Sequence, residues 1–134
     1  MQLHHALTQL LLILALLPMT TVSAAKYELR TIATGLDKPW SIAAIDEDAF
    51  LVTEKAGRLI RLDAAGGITI IGGTPEVYFA NQGGLLEVLP DPGFSQNRTV
   101  YLSFSGGDKS ANRTTVIKAV LDGDTLKNLE TILE

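Results

Sequence analysis

The residues best suited to hold a ligand are two adjacent primary amides, Asn81 and Gln82, which are followed directly by Gly83 and Gly84. A primary amide offers hydrogen-bond donors and an acceptor without a charge, so Gln82 suits a partner that carries hydroxyl groups. Glycine lets the backbone come close to another group, which can be a ligand or a second strand. The alternatives are a buried Gln82 bonded to backbone and an Asn81 that only supplies turn geometry.

The segment that contains these amides carries no histidine, because His4 and His5 both precede residue 26. Histidine is the side chain whose pKa best suits a general base near neutral pH. Asp37 and Glu54 lie at the ends of predicted hairpins, where we expect hydrogen-bonded or solvated carboxylates. The sequence shows no phosphate loop, nucleophile elbow or metal-spaced His and Glu pair. We therefore predict no catalytic or metal-binding residue in this chain, and no carrier for nucleotide chemistry or hydrolysis.

The first 25 residues have the pattern of a removable export signal. An unbroken apolar run occupies 10–17, Pro18 follows it, and small residues lead up to Ala24 and Ala25. Cleavage after either alanine fits the pattern. A membrane-spanning helix needs roughly 20 apolar residues, which is more than this run supplies. We expect a bacterial periplasmic or secreted protein that has no membrane anchor after cleavage.

All 11 basic and 15 acidic side chains follow the predicted signal, and the net charge is −4. No basic stripe is present that would attract nucleic acid or anionic lipid. The chain has no cysteine, so its stability must come from burial and not from disulfides. This composition predicts neither a nucleic-acid partner nor a membrane partner.

Short alternating runs of apolar residues, separated by Gly, Asn and Asp, predict an all-β fold for residues 26–134. No segment shows a sustained helical period, and LDGDTLKNLE at 121–130 is predicted to form a hairpin turn. The predicted strands are 27–33, 40–45, 49–54, 58–63, 68–71, 84–89, 99–104, 114–121 and 129–133.

The same order of strands and turns begins at Trp40 and again at Gly84. Their spacing falls in the range of roughly 40 to 50 residues that is typical of a four-stranded propeller blade. A β-sandwich with two similar hairpin pairs would give the same alternation, so the pattern alone leaves both architectures open. Two blades cannot close a ring, and on the propeller interpretation we expect this chain to be the first part of a larger molecule.

Two stretches distinguish the architectures. IATGLDKPWSIAAIDEDAFLVTEKAGRLIRLD and PEVYFANQGGLLEVLPDPGFSQNRTVYLSFS resemble the opening of the glucose/sorbosone dehydrogenase family, the soluble quinoprotein aldose dehydrogenases. The resemblance implies a six-bladed β-propeller, of which residues 26–134 form about the first two blades. It also implies oxidation of sugars at the anomeric carbon to lactones in the periplasm, with pyrroloquinoline quinone as hydride acceptor and with calcium.

By the same resemblance, the Gln of the QGGLL motif hydrogen-bonds the sugar, and that residue is Gln82, with Asn81 as a secondary candidate. The general base, the quinone ligands and the calcium ligands are expected beyond Glu134, so that this chain alone is inactive. The implied partners are a sugar and an external electron acceptor, and the resemblance leaves a homodimer open. The alternatives are a non-catalytic propeller that binds carbohydrate or protein, and a free-standing small β module.

The resemblance also covers the segment after the amides, with one departure. A His-Pro-x-Phe sequence is usual in the family, and Asp91 stands in the place of that His. We expect Phe94 to fill the core between two blades and Tyr101 to pack along a strand, so that the departure has no catalytic cost. Pro39 and Trp40 are expected to act as packing at the start of the first strand of the first blade.

Overall fold

The computed structural model describes residues 27–134, and these residues form two four-stranded antiparallel sheets. Residues 27–30 belong to a unit separate from Thr31–Glu134 and contain no helix or strand. The predicted export signal, 1–25, lies outside the described residues. Within the described part of the chain, no helix is long and apolar enough to cross a bilayer.

Each sheet pairs its strands in the order of the chain. The first sheet contains β1 (Pro39–Ala44), β2 (Ala49–Glu54), β3 (Arg58–Asp63) and β4 (Ile68–Ile71). The second contains β5 (Leu85–Pro90), β6 (Thr99–Gly107), β7 (Asn112–Asp122) and β8 (Thr125–Leu133), and a one-turn helix, α1 (Phe94–Asn97), links β5 to β6. The predicted repeat is confirmed, because each unit folds into one antiparallel meander.

The predicted strands from residue 40 onward are confirmed, and β2, β3 and β4 have the predicted bounds. β6 and β7 are longer than predicted because their backbone ladder continues through residues without apolar side chains, such as Gly106 paired with Arg113. The predicted hairpin within 121–130 is also confirmed, since Asp122 pairs with Thr125 across a two-residue turn.

The strand predicted over 27–33 is wrong, since no strand covers this stretch. Side chains just before β1 instead pack on one face of the first sheet. The residues in this contact are Ile32, Ala33 and Leu36 from the segment and Val52, Ile60 and Leu62 from the sheet. Of the residues in the predicted strand, only Ile32 and Ala33 make this contact, while Tyr27 and Leu29 are exposed, so the alternation does not mark a strand here.

The main apolar core lies between the two sheets. Successive side chains of a strand point to opposite faces, so every second residue enters this core. The first sheet contributes Leu51, Leu59 and Ile71, and the second contributes Leu85, Val88, Val100, Leu102, Phe104, Ile117, Ala119, Leu121 and Leu126. Burial of these side chains is the main force that holds the sheets face to face.

The outer faces of the two sheets expose large apolar side chains. Ile42 and Ile70 are more than half exposed on the first sheet, and Leu89 is more than half exposed on the second. The outer faces of a self-contained sandwich are polar, because they face only water. Exposed apolar residues on both sides are what two successive members of a longer stack of sheets present, and they favour the propeller over the sandwich.

Hydrogen bonds join the sheets where β1 faces β5. Ser41 Oγ donates to Glu87 Oε1 over 2.6 Å, and Thr53 Oγ1 donates to the Leu86 carbonyl over 2.5 Å. Ser41 and Thr53 are buried, so each hydroxyl needs the partner that the other sheet supplies. These two bonds fix the position of one sheet relative to the other along the strand direction.

A second junction joins β4 to β8. The Gly72 N–H donates to the Asp124 carbonyl over 2.9 Å, and the Leu126 N–H donates to the Gly72 carbonyl over 2.8 Å. Arg61 Nη2 lies 2.7 Å from Asp124 Oδ1 beside this bridge. The two sheets are thus fixed to each other at both ends of their shared core.

The link from β5 to β6 closes that core with Phe94, which is only 4% exposed, as predicted. Asp91 braces the link: its carboxylate accepts the Gly93 N–H and Asn97 Nδ2, each over 2.8 Å. The half-buried Tyr101 hydroxyl on β6 donates to the same carboxylate over 3.0 Å. The Asn97 amide, with these other donors, holds the pKa of Asp91 below its ordinary value. Asp91 therefore has a structural role in this segment.

We predict that Phe94→Ala lowers the free energy of unfolding by about 3 to 5 kcal/mol, because a buried ring is lost and a cavity remains. Urea denaturation of the purified protein measures this change. Ser95→Ala, on the exposed side of the same helix, is the control and should change stability by less than about 0.5 kcal/mol. Equal effects of the two substitutions would contradict the assignment of Phe94 to the core.

Candidate functional site

Three segments meet near the ends of β1, β2 and β5: residues 37–40, residues 54–58 and residues 78–84. We call the surface they form the amide rim. Backbone hydrogen bonds tie the segments together, since the Lys55 N–H donates to the Lys38 carbonyl over 3.1 Å and the Leu85 N–H donates to the Lys55 carbonyl over 2.9 Å. The turn between β2 and β3 is thus bonded to both of the other segments.

Glu54 anchors the first two segments of the amide rim. Its side chain is only 2% exposed and forms an ion pair with Arg58 across the turn. It also accepts the Asp37 N–H over 2.8 Å, while the Asp37 side chain itself is mostly exposed. The Arg58 guanidinium, with help from the Asp37 N–H, holds the pKa of Glu54 below its ordinary value although burial opposes this. Both carboxylates are hydrogen-bonded or solvated, as predicted.

Gly84 lets the turn between β2 and β3 approach the start of β5. Its φ is +135°, and a Cβ at this position would lie 2.1 Å from the Lys55 carbonyl oxygen. A Cβ on Gly83 would lie 2.9 Å from Ser105 Oγ and from the Tyr78 carbonyl oxygen. The close approach that the two glycines permit is therefore to other parts of the protein backbone and side chains.

Asn81 and Gln82 form the tip of the loop before β5. Asn81 has φ +51°, and the Gly83 N–H donates to the Ala80 carbonyl over 2.8 Å, which closes a tight turn. Asn81 thus supplies turn geometry, the alternative that the sequence left open. Gln82 is exposed, so it is not a buried structural amide. Its carboxamide is presented to solvent on a turn whose backbone is held in place.

The loop that carries Gln82 is also fixed at its two ends. The Tyr78 N–H donates to the Ser105 carbonyl over 2.7 Å, and the Ser105 N–H donates to the Gly84 carbonyl over 2.9 Å. The end of β6 thereby holds the residues on each side of the Asn81–Gln82 pair. A loop bonded in this way presents its tip with little backbone freedom.

Two aromatic rings lie in the amide rim, each with a lysine above it. Trp40 is 50% exposed and Phe79 is 41% exposed. Lys55 Nζ lies 5.0 Å from the Trp40 ring centroid, and Lys38 Nζ lies 5.4 Å from the Phe79 ring centroid. Pro39 and Trp40, which the sequence predicts to be packing residues, are exposed within the described residues, because β1 is an edge strand of its sheet.

Lys55 is the functional candidate that sequence reasoning missed. Its Nζ donates to the Asn81 carbonyl over 2.9 Å and lies 5.0 Å from the Trp40 ring centroid. A lysine in a hairpin turn is expected to be solvated, and its partner lies 26 residues away in the chain. No local pattern marks such a contact. The structure also links Asn81 to Trp40 through Lys55, although the sequence placed the two residues in separate repeats.

Residues 27–134 contain no group of three or more His, Asp or Glu side chains that could hold a metal ion. The three basic side chains of the amide rim are bonded to groups of the protein itself: Lys38 to Asp37, Lys55 to Asn81 and Arg58 to Glu54. Beside these paired charges, the rim exposes the Gln82 carboxamide and the side chains of Trp40 and Phe79.

The sequence model of the Glucose / Sorbosone dehydrogenase family matches residues 36–134. The chain belongs to this family. It is 37% identical over 95 residues to the aldose sugar dehydrogenase YliI of Escherichia coli, a match that covers 69% of this chain and 26% of that protein.

Solved structures agree with the fold. A glucose dehydrogenase is 40% identical, with a TM-score of 0.70, over 74% of this chain and 32% of its own. The PQQ-bound aldose sugar dehydrogenase of Streptomyces coelicolor is 29% identical, with a TM-score of 0.71, over 78% of this chain and 32% of its own. The predicted all-β propeller class, with about two blades in this chain, is confirmed. The chain spans about a quarter of the length of the curated relatives it matches.

We predict that Glu54→Gln lowers the free energy of unfolding by about 1 to 3 kcal/mol at pH 7, because a buried acceptor loses its charge-assisted bond to Arg58. The folded-state pKa of Glu54 is depressed, so its contribution is complete above about pH 4.5 and is lost as pH falls through the lower, folded value. Urea denaturation at pH 7 and pH 3 should show the difference between variant and parent shrinking at low pH. Glu47→Gln, at an exposed turn, is the control, and a pH-independent gap at Glu54 would contradict the ion pair.

We predict that Gly84→Ala costs about 2 to 4 kcal/mol of stability, since the new Cβ meets the Lys55 carbonyl and the backbone is left-handed. Gly123→Ala is the matched control: its φ is +60°, but no atom lies within 4 Å of the added Cβ, so about 1 kcal/mol is expected. Thermal unfolding of both variants separates the backbone cost from the clash. Equal losses would show that the close approach at Gly84 is not needed.

Proposed function

We propose that the complete protein is a periplasmic oxidoreductase that oxidises aldose sugars at the anomeric carbon to lactones, with Gln82 as a sugar-binding residue. The observation that carries this proposal is the exposed carboxamide of Gln82 on a loop bonded at both ends, in a chain of the glucose/sorbosone dehydrogenase family. The aldose sugar dehydrogenases among its relatives support the sugar as substrate.

The described residues act on the sugar through neutral hydrogen bonds. The Gln82 carboxamide can donate to one ring hydroxyl and accept from another, which orients the sugar without placing a charge beside it. The partly exposed side chains of Trp40 and Phe79 belong to the same rim, and aromatic surface suits the C–H groups of a sugar ring. Orientation of the ring before reaction is the contribution we assign to this chain's own residues.

The reaction also needs groups that the described residues do not provide. Pyrroloquinoline quinone, when bound, supplies a hydride acceptor, and the Streptomyces relative in its PQQ-bound form supports this cofactor. We propose that the base which removes the hydroxyl proton, the quinone ligands and the calcium ligands come from outside residues 27–134. The partner that we propose for turnover is an external electron acceptor. Residues 27–134 alone should therefore not oxidise sugar.

Aldose-dependent dye reduction by the complete gene product, reconstituted with pyrroloquinoline quinone and calcium, tests the reaction. Activity that requires both the quinone and an aldose supports the proposal. Sugar binding without dye reduction would support the alternative of a non-catalytic carbohydrate-binding propeller. The absence of both sugar binding and turnover across several aldoses would overturn the enzyme proposal and the carbohydrate-binding alternative together.

We predict that Gln82→Ala in the active protein raises KM or lowers kcat for D-glucose by about 10- to 100-fold, which corresponds to roughly 1.5 to 3 kcal/mol for a lost hydrogen bond. Steady-state kinetics measures both constants. Gln96→Ala is the matched control, because Gln96 is an exposed glutamine of α1 outside the amide rim. Kinetics of Gln82→Ala equal to those of the control would reassign Gln82 to the scaffold.

A further inference from the structure

We infer that Lys55 is the positioning residue for Gln82: its side chain and its backbone hold the turn that presents the sugar-binding carboxamide. The inference rests on the proposed role of Gln82, and it adds a residue to that site. The observation behind it is that Lys55 bonds to the loop before β5 at two separate points, on each side of Gln82.

The first point lies on the N-terminal side of Gln82. Lys55 Nζ donates to the Asn81 carbonyl over 2.9 Å. That carbonyl belongs to the peptide unit whose nitrogen is the N–H of Gln82, and a peptide unit is planar. A bond to the oxygen therefore fixes the plane from which the Gln82 backbone starts.

The second point lies on the C-terminal side. The Lys55 carbonyl accepts the Leu85 N–H over 2.9 Å, and Gly84 has no Cβ that would block this approach. Residues 82–84 are thus enclosed between two bonds to one lysine. The same residue reaches the third segment of the amide rim, because its N–H donates to the Lys38 carbonyl over 3.1 Å.

The aromatic ring below the ammonium group explains how a flexible side chain can hold the turn. Lys55 Nζ lies 5.0 Å from the Trp40 ring centroid, within the distance at which a cation is attracted to a ring face. Lysine has three donors and a long stem, so an isolated lysine on a surface samples many positions. The contacts with Trp40 and with Asn81 restrict the Lys55 side chain to the position in which it supports Gln82.

The left-handed conformation of Asn81 makes this support necessary. Asn81 has φ +51°, a conformation that costs free energy in any residue with a side chain, although asparagine tolerates it better than most. A charge-assisted bond to its carbonyl stabilises that conformation relative to the alternatives. Without the bond we expect the turn to open more often and Gln82 to spend less time in the binding orientation.

Lys55→Met tests the inference, since methionine has a long unbranched side chain and leaves the backbone bonds of residue 55 in place but has no ammonium group. Lys55→Arg should restore function because it keeps a cationic donor. Lys127→Met is the control: Lys127 forms an exposed ion pair with Asp122 over 2.6 Å, outside the amide rim. Two readouts are used on the full protein, the hydrogen exchange rate of the Gly83 amide and the kinetics with D-glucose.

We expect Lys55→Met to speed exchange of the Gly83 amide about tenfold, because the turn that its bond to Ala80 closes opens more often. KM for D-glucose should rise about fivefold with kcat within about twofold, as for a binding group that is held less firmly. Lys55→Arg should bring both values within about twofold of the parent, and Lys127→Met should change neither.

The outcomes separate the inference from the proposed function. Suppose that Gln82→Ala raises KM, while Lys55→Met leaves both KM and the Gly83 exchange rate unchanged. The positioning role of Lys55 is then wrong, and the proposed sugar site stands. If Gln82→Ala has no effect on kinetics, the proposed site fails, and unchanged Gly83 exchange in Lys55→Met would then overturn the turn-holding role as well. A rise in KM in Lys55→Met that is equally large in Lys55→Arg would also contradict the inference, because the cationic donor would then be irrelevant.

Discussion

The contact between the Lys55 carbonyl and the start of β5 is the constraint on which the rest of the site depends. It joins the turn of one sheet to the first strand of the next, and only a glycine at position 84 leaves room for it. Because the apolar core between the sheets holds their faces together but is not directional, this hydrogen bond and those of Ser41 and Thr53 set their relative position. The place of Gln82 on the surface follows from that position.

The amide rim combines rigid support with a neutral binding group. Its charges are paired within the protein, as with Glu54 and Arg58, or directed at backbone, as with Lys55 and Asn81. The group left free to meet a ligand is an uncharged carboxamide. The sugar that we propose as ligand is a neutral molecule with many hydroxyl groups, and these can exchange hydrogen bonds with such a carboxamide without the addition of a charge.

Asp91 shows how a carboxylate can be used entirely by the fold. It accepts bonds from Gly93, Asn97 and Tyr101. These bonds hold the link that carries Phe94 into the core, so the role of Asp91 in this segment is structural.

Alternation and turn residues in the sequence were enough to predict the all-β class, the repeat and every strand from residue 40 onward, because strand period and turn geometry are local properties. The motif around Gln82 names that residue as a sugar-binding candidate, and this role stays a prediction. Local pattern failed at 27–33, where no strand forms and Tyr27 and Leu29 are exposed, and it gave no sign that Trp40 is half exposed on the edge strand β1. The tertiary structure alone decided that Lys55 meets Asn81 and that Gly84 admits the Lys55 carbonyl. Those contacts join residues far apart in the chain, and only the packing of one sheet on the other brings them within bonding distance.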